Sequence, residues 1–438
     1  MIGAVSHSKE PASKETPSSP HQSDKARILF TPVSDYLAHV GRSVLLAREL
    51  KARGHEIAFG GAPRYLCDPN VVSPGEFPVF PLPDFEQAEG LEVLRNLCKV
   101  PSIHVLRTHL DHEFRLLDEF RPDLIVCDFR LTMFISARVR NIPVVSLLGG
   151  RWLHQYADKP FRGPRTNPVY PWLVWMLGEP LTSHVVMPLQ KWVMRYKIRP
   201  HFRLSRQNGL TLSPDVWEFF VGDFNLILDT NLVGASGPLP AHFRRVGPIA
   251  WTPHIPLPDW VNLLDRDRPI IYVTMGSTGH PDLFQSLITL LADKPYTVII
   301  STGGQFEIAP ASVPSNFRVV KYLPGEKIMA LSDLVIFHGG AGTGYQAIQT
   351  GTPGIAIATH LEQEFIAEVL EEHRAGVFLT MREVLRRPSV VLRAIEEMLA
   401  DLETFRAHMQ VLRNEFHQYR PLPDSADAIE QFLRTYHQ

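Results

Sequence analysis

"FHGGAGTGYQAIQTGTP", residues 337–353, places one histidine and five glycines directly after the apolar run "DLVI". The order reads as buried strand, glycine loop, helix. Glycine lets a backbone turn tightly and come close to a ligand. A helix starting there presents unpaired N–H groups and about half a positive charge. Together they form an anion site suited to a phosphate or diphosphate, and His338 at the strand end can donate a hydrogen bond to a phosphate oxygen. Glycine-rich strand-to-helix turns are also ordinary in α/β sheets, so the loop alone does not decide the matter.

Working outward, β-α-β alternation surrounds the loop. "RPIIYVTMGST" (268–278), "YTVIISTGG" (296–304), "FRVVKYLP" (317–324), "SDLVIFHGG" (332–340) and "PGIAIAT" (353–359) read as strands. Helical patterns lie at 281–293 and around "GYQAIQTG" and "QEFIAEVLEEH". A first series precedes it: "ARILFTPV" (26–33), a helix over "RSVLLARELKARG" stopped by Gly54, "HEIAFGG", "PDLIVCD" (122–128), a helical "TMFISARVRN", "IPVVSLLGG" (142–150) and "FNLILDT" (224–230). Residues 151–215 are rich in Trp, Tyr, Pro and Arg and give no regular strand order. The Gly/Pro-rich stretch that follows Thr230 reads as an inter-domain linker. The expected class is α/β, with two Rossmann-like doubly wound parallel-sheet domains facing across a cleft.

Composition narrows the function. The chain has 438 residues, too many for one ordinary core, and a net charge of −2, so no overall basic field points to nucleic acid. The three cysteines, Cys67, Cys98 and Cys127, form neither a disulfide framework nor a zinc motif. A reducing, cytoplasmic setting is expected. Residues 1–25 lack the apolar core of a secretory signal and read as a disordered tail. "PVYPWLVWMLGEPLTSHVVMPL" is too interrupted to be a transmembrane helix. There is no Walker lysine motif and no G-x-G-x-x-G with an acidic partner, which argues against a P-loop NTPase and a dinucleotide oxidoreductase. "DRD" (265–267) sits in a polar loop, and "HLEQE" is not H-E-x-x-H, so no metal site is expected.

The longer run "HGGAGTGYQAIQTGTPGIAIATHLEQEFIAEVLEEHRAGVFL" resembles the donor-binding signature of the GT-B glycosyltransferases, the UDP-glycosyltransferases and the bacterial macrolide-type (family 1) enzymes. "YVTMGS", "IISTGGQ", "VVKYLPG", "VGPI" and the N-terminal "LAHVGRSVLLARELKARGHEIAF" extend the resemblance in family order. It implies an inverting, metal-independent glycosyltransferase that moves a sugar from UDP or dTDP to a hydroxyl of a small, apolar natural-product or lipid acceptor. No cofactor is implied beyond the nucleotide-sugar co-substrate. The partners implied are donor and acceptor, without nucleic acid, for a monomer or homodimer; peripheral membrane contact is compatible. The implied domains are an acceptor domain at 26–235, a linker at 236–250, a nucleotide-sugar domain at 251–405, and helices at 406–438 packing back toward the first domain.

Site roles follow from the same resemblance. It implies His39 as general base on the acceptor, oriented by Asp128, and Gly276, Ser277, His338, Gly340, Gly342 and Thr343 at the donor diphosphate. Tyr322, Leu323 and Gln346 are implied at the nucleoside, and Glu362 with Gln363 at the sugar. The acid–amide pair suits several sugar hydroxyls, although an acid in a first helical turn also serves as a cap. The sequence departs from the family at three places. Gln346 replaces a Glu, "YLPG" replaces W-x-P-Q, and Arg42 replaces a Pro, either as a solvated helix-start residue or reaching the diphosphate. Trp152, Trp172, Trp175 and Trp192 either line an acceptor pocket or simply pack. Two rivals differ in class: a nucleotide-sugar isomerase like UDP-N-acetylglucosamine 2-epimerase, which lacks the His–Asp pair, and a non-catalytic GT-B partner protein.

Overall fold

A computed structural model describes residues 25–85, 99–153, 164–167, 169–212, 217–233, 237–253, 255–276 and 279–436. The disordered-tail reading of residues 1–25 and the diphosphate role of Ser277 fall essentially outside them. The first sheet contains β1 (Arg27–Pro32), β2 (Glu56–Gly61), β3 (Val79–Pro81), β4 (Leu124–Asp128), β5 (Val144–Leu148), β6 (Phe224–Ile227) and β7 (Phe243–Arg245). Its order is β3-β2-β1-β4-β5-β6-β7. The second contains β8 (Ile270–Thr274), β9 (Thr297–Ser301), β10 (Phe317–Val320), β11 (Leu334–Phe337), β12 (Gly354–Ala358) and β13 (Gly376–Thr380), in the order β10-β9-β8-β11-β12-β13.

Both sheets are parallel throughout. Their central strands are buried on both faces, which is why they read as continuous apolar runs rather than alternating ones. The order reverses beside β1 in one sheet and beside β8 in the other. Ligand crevices of doubly wound sheets open at such switch points, beyond the carboxyl ends of the strands. The fold is the two-domain α/β GT-B architecture.

Three features depart from the sequence reading. β7 lies within 236–250, so that stretch adds an edge strand to the first sheet before it crosses. Residues 169–207, where no order was legible, form helices Val169–Leu177 and Glu179–Gln207. Pro188 and Pro200 inside the second helix, and Gly178 before it, hide the helical pattern. The C-terminal helices divide their contacts. Leu402–Phe416 packs on helix Ala341–Thr350 of the second domain, and Pro421–Tyr436 packs on Leu37–Ala52 of the first domain. There Ala428, Ile429 and Leu433 join the core of Val40 and Val44. Arg53 fastens the crossing with bonds to Asp427 at 2.6 Å and Glu430 at 3.2 Å. Among the described residues, no helix is long and apolar enough to cross a membrane.

Candidate active site

The switch point of the first sheet brings His39 to Asp128. β1 and β4 are paired in parallel with Pro32 opposite Asp128, so both strands end at the same edge. Helix Leu37–Ala52 starts five residues after β1 and carries His39 in its first turn, over the end of β4. His39 Nδ1 lies 2.7 Å from Asp128 Oδ1. Phe129 follows with φ 63°, a left-handed conformation costing about 1–2 kcal/mol in a residue that is not glycine. The turn leaves the Phe129 ring against His39, Trp152 and Phe220.

Arg42 is turned onto Asp128 rather than out into solvent, which corrects the reading of a solvated helix-start residue. One helical turn after His39, its Nε donates to Asp128 Oδ2 at 2.5 Å and its Nη2 to Oδ1 at 2.5 Å. Burial alone would push the Asp128 carboxyl up, but the Arg42 guanidinium and His39 hold it at about 2. Arg42 Nη2 also approaches His39 Nδ1 at 2.9 Å. Nδ1 is thus within reach of both groups, and in the tautomer with a proton on Nδ1 that proton is donated to the Asp128 carboxylate. His39 Nε2 is then an unprotonated acceptor in a residue that lines the cleft.

The other side of the cleft is built the same way from the second sheet. β8 and β11 pair with Thr274 opposite Phe337, so Gly276 and His338 emerge together. The His338 ring fills the space beside both glycines. A Cβ on Gly340 would stand 2.4 Å from Nε2, and one on Gly276, whose φ is +56°, would stand 2.8 Å from Cε1. Glycine at these two positions is the condition for a histidine between them. Burial, with His360 nearby, pulls the His338 pKa down to about 3, so the ring is neutral. Its buried Nδ1 has no hydrogen-bond partner among the described residues. Helix Ala341–Thr350 begins beyond it with Gly340 as an N-cap that offers no side-chain bond. The first N–H groups of that helix, at Gly342 and Thr343, therefore face the cleft without a capping side chain.

One cavity of about 940 Å³ joins the two sides, large enough for a nucleotide sugar with an acceptor beside it. It takes in His39, Gly276, His338, Gly340, Gly342, Thr343, Tyr322, Leu323, Gln346, Glu362 and Gln363. Asp128 lies behind His39, fully buried. Tyr322 is partly exposed, with Lys321 Nζ 5.5 Å from its ring centre, and Leu323 is buried. Gln346 donates through Nε2 to the Trp251 carbonyl at 2.6 Å, so the linker fixes its amide. The pair Glu362–Gln363 divides. Glu362 is exposed on the cavity wall, whereas Gln363 is buried, with Oε1 accepting the Thr359 N–H at 2.8 Å. Of the four tryptophans, Trp152 lines the cavity and packs in the Phe129–Phe220 cluster; Trp172, Trp175 and Trp192 stand in solvent.

Several cavity residues had no part in the sequence reading. Asp229, just past β6, accepts from the Gly150 N–H and from Tyr345 Oη at 2.5 Å, joining the two domains beneath the cleft. Burial raises its carboxyl pKa. Its signal was present, because "LILD" ends on an aspartate in the same way as "IVCD". Arg130 binds Glu113 at 2.7 Å and Asp84 at 3.0 Å, and Asp84 takes the Ser34 N–H at 2.8 Å. Glu364 accepts the N–H groups of Arg165 and Thr166, each at 2.8 Å, and Arg151 pairs with Glu368, so loops of the first domain are held on the helix that carries Glu362. The "DRD" loop is closed on itself, Asp265 accepting the Asp267 N–H at 3.0 Å and pairing with Arg268 at 3.3 Å. Among the described residues, no group of three His, Cys, Asp or Glu is placed to hold a metal ion.

A PGL/p-HBAD biosynthesis glycosyltransferase of Mycobacterium tuberculosis (strain ATCC 25177 / H37Ra) is 32% identical to this chain over 383 residues, 86% of each protein. The chain belongs to this glycosyltransferase family. A PGL/p-HBAD biosynthesis rhamnosyltransferase of Mycobacterium bovis (strain BCG / Pasteur 1173P2) is 32% identical over 361 residues, covering 81% of the glycosyltransferase described here and 77% of its relative. Residues 286–430 match the family "Erythromycin biosynthesis protein CIII-like, C-terminal domain". The fold of the glycosyltransferase is shared with a spinosyn rhamnosyltransferase solved with thymidine diphosphate. That likeness has TM-score 0.63 and 17% identity, covering 94% of this chain and all of that one.

Proposed function

We propose that this glycosyltransferase moves a deoxyhexose, of the rhamnose kind, from its nucleoside diphosphate to a hydroxyl of an apolar acceptor, with inversion and without a metal. The observation that carries the reading is the single cavity in which the His39–Asp128 pair faces the uncapped start of helix Ala341–Thr350. The nucleotide proposed is a UDP or dTDP sugar, held at Tyr322, Leu323 and Gln346. The sugar class follows a relative named as a rhamnosyltransferase, and a structural neighbour holds thymidine diphosphate.

In the proposed reaction His39 Nε2 takes the acceptor proton while Nδ1–H stays on Asp128, whose negative charge favours the imidazolium that forms. The freed oxygen attacks the anomeric carbon from the first-domain side. The bond from that carbon to the diphosphate oxygen breaks, and its electron pair leaves with the nucleoside diphosphate. Gly342 and Thr343 N–H groups, the helix dipole and a neutral His338 meet the developing charge, the task a divalent cation performs elsewhere. Arg42 touches no substrate in this scheme. It holds Asp128 in position and ionised.

The test is transfer from dTDP-rhamnose and UDP-glucose to phenolic and aliphatic alcohols, with the product's anomeric configuration read by NMR and EDTA present throughout. Inverted product, formed with chelator, is expected. Retained configuration, or complete loss with EDTA restored by Mg²⁺ or Mn²⁺, overturns the mechanism.

A further inference from the structure

Helix Glu179–Gln207 is only half packed. Its later turns place Ile198 and Leu204 in the core with Leu106, Leu110 and Ile135. Its earlier turns, with helix Val169–Leu177, leave Trp172, Trp175, Leu181, Val185, Leu189 and Trp192 exposed, Trp175 by 80% and Trp192 by 63%. Leu181, Val185, Leu189 and Trp192 recur at helical spacing and form one stripe about 16 Å long. Contiguous exposed apolar surface of this kind marks an interaction site. The same outer face continues from Trp192 as Arg195, Arg199, Arg203 and Arg206, with Lys191 alongside, all exposed. Lys191, Arg195, Arg203 and Arg206 form no ion pair among the described residues, and Glu179 is the helix's one acid. This local excess of positive charge stands on a chain of net charge −2.

We propose that this face docks on an anionic lipid bilayer, with the tryptophan–leucine end in the acyl–headgroup boundary and the arginine end on the headgroups. Tryptophans beside leucines, followed by a basic stripe, are the composition that lies in a membrane interface. Charge complementarity selects this occupant over a second copy of the chain packed through the same face, which would bring its own arginines to the contact and no acid beyond Glu179. The face also joins the cavity, because Val169 and Leu189 are both exposed and part of its wall. An acceptor resident in the bilayer therefore has an apolar route from the lipid to His39. Only this delivery role rests on the glycosyltransferase reading; the docking is tested without transfer.

The full chain is floated with phosphatidylcholine vesicles, with and without phosphatidylglycerol, across a salt series. Binding to the anionic vesicles that weakens with salt is expected, with the tryptophan emission shifting to the blue. Trp175→Glu with Trp192→Glu should weaken it by roughly tenfold or more, and Arg195→Glu with Arg199→Glu and Arg203→Glu should weaken it similarly and flatten the salt dependence. Nucleoside diphosphate affinity in every variant should match the parent, which checks folding independently. The proposal is overturned if the parent ignores anionic vesicles at low salt, or if the variants bind them unchanged. It is equally overturned if sedimentation shows a dimer that the tryptophan changes dissociate while vesicles are not bound.

Discussion

The two domains share a strand order around their switch points, yet they supply the cleft differently. The half proposed to hold the donor draws its candidate anion site from one unbroken stretch, the end of β11, the glycines and the start of helix Ala341–Thr350, with Gly276 as the main outside contribution. The acceptor half assembles from scattered pieces: His39 and Arg42 on one helix, Asp128 and Phe129 89 residues later, Trp152, and a helix pair whose far end lies past residue 200. A site made of backbone N–H groups and a neutral ring needs no charge partner. A site made of a buried carboxylate does, and Arg42 meets that need. The donor half should therefore lose ligand affinity when altered, and the acceptor half should lose stability and turnover together.

The largest effect is expected at Asp128. Asp128→Ala leaves the Arg42 guanidinium buried without its carboxylate, which costs about 3–5 kcal/mol of stability, and it frees the His39 ring. Arg42→Met should lose stability on a similar scale, with Asp128 now the unpaired group, and Arg42→Lys should recover part of it. Transfer should fall by about 10²–10⁴ in Asp128→Asn, where the shape is kept and the charge is not. Denaturant melts and calorimetric titration with nucleoside diphosphate separate the outcomes. If Asp128→Asn weakens nucleotide binding as much as it slows transfer, the two halves are not independent.

Acid should expose the next difference. Burial pulls His109 and His201 down to about 4 and His338 to about 3, so all three are neutral in the folded chain. In the unfolded chain they take up protons near pH 6.5. The unfolded state then binds more protons, and stability falls as pH drops from about 6.5 toward 4, by roughly 1.4 kcal/mol per pH unit for each histidine. Asp128 adds to the loss only between about 3.8 and its folded value of about 2. His201→Leu should flatten the dependence of Tm on pH above 4. A Tm that is level from pH 7 to 4.5 would mean these rings are charged or solvated in the fold.

His338→Ala tests the donor half directly. The ring lines the cavity beside the uncapped helix start, between two glycines that admit it, and is the side chain proposed to meet a phosphate oxygen. Its loss should weaken nucleoside diphosphate binding by about 1.5–3 kcal/mol and raise the donor KM with little change in Tm. An unchanged Kd would leave the helix N–H groups as the whole of the anion site.

This division also governs what could be read beforehand. Local chemistry was legible: the strands, the glycine loop, and Asp128 at the end of β4, whose pairing with His39 on the helix after β1 came from the family resemblance alone. Distant pairing was not. Nothing near Arg42 in the chain announces a carboxylate 86 residues away, and Glu113 gives no local sign that it will be buried under Arg130, Thr132 and Ser136. Helix Glu179–Gln207 was obscured by its two internal prolines, Pro188 and Pro200, because tertiary contacts at its later turns override what propensity alone forbids.

The smallest effect, and the sharpest comparison, lies within the pair Glu362–Gln363. Both line the cavity, but only Glu362 is exposed there. Gln363 Oε1 accepts the N–H of Thr359 at 2.8 Å and its hydroxyl at 2.9 Å, tying the end of β12 to the first turn of helix Leu361–Glu372. Both bonds run one way, from Thr359 to the amide oxygen, and a hydrogen bond of this kind contributes about 0.5–1.5 kcal/mol. Gln363→Ala should therefore lower Tm slightly and disturb sugar transfer only as far as that turn loosens. Glu362→Ala removes an exposed carboxylate from the cavity wall and should leave Tm unchanged. It should narrow the difference in kcat/KM between sugars that differ in one hydroxyl, since a group built to pair with a hydroxyl discriminates against its absence. Thermal melts and kcat/KM for two donors, measured on both variants, decide the assignment. Should Gln363→Ala keep its Tm and relax sugar choice while Glu362→Ala does neither, the amide reads the sugar and the carboxylate is a surface group.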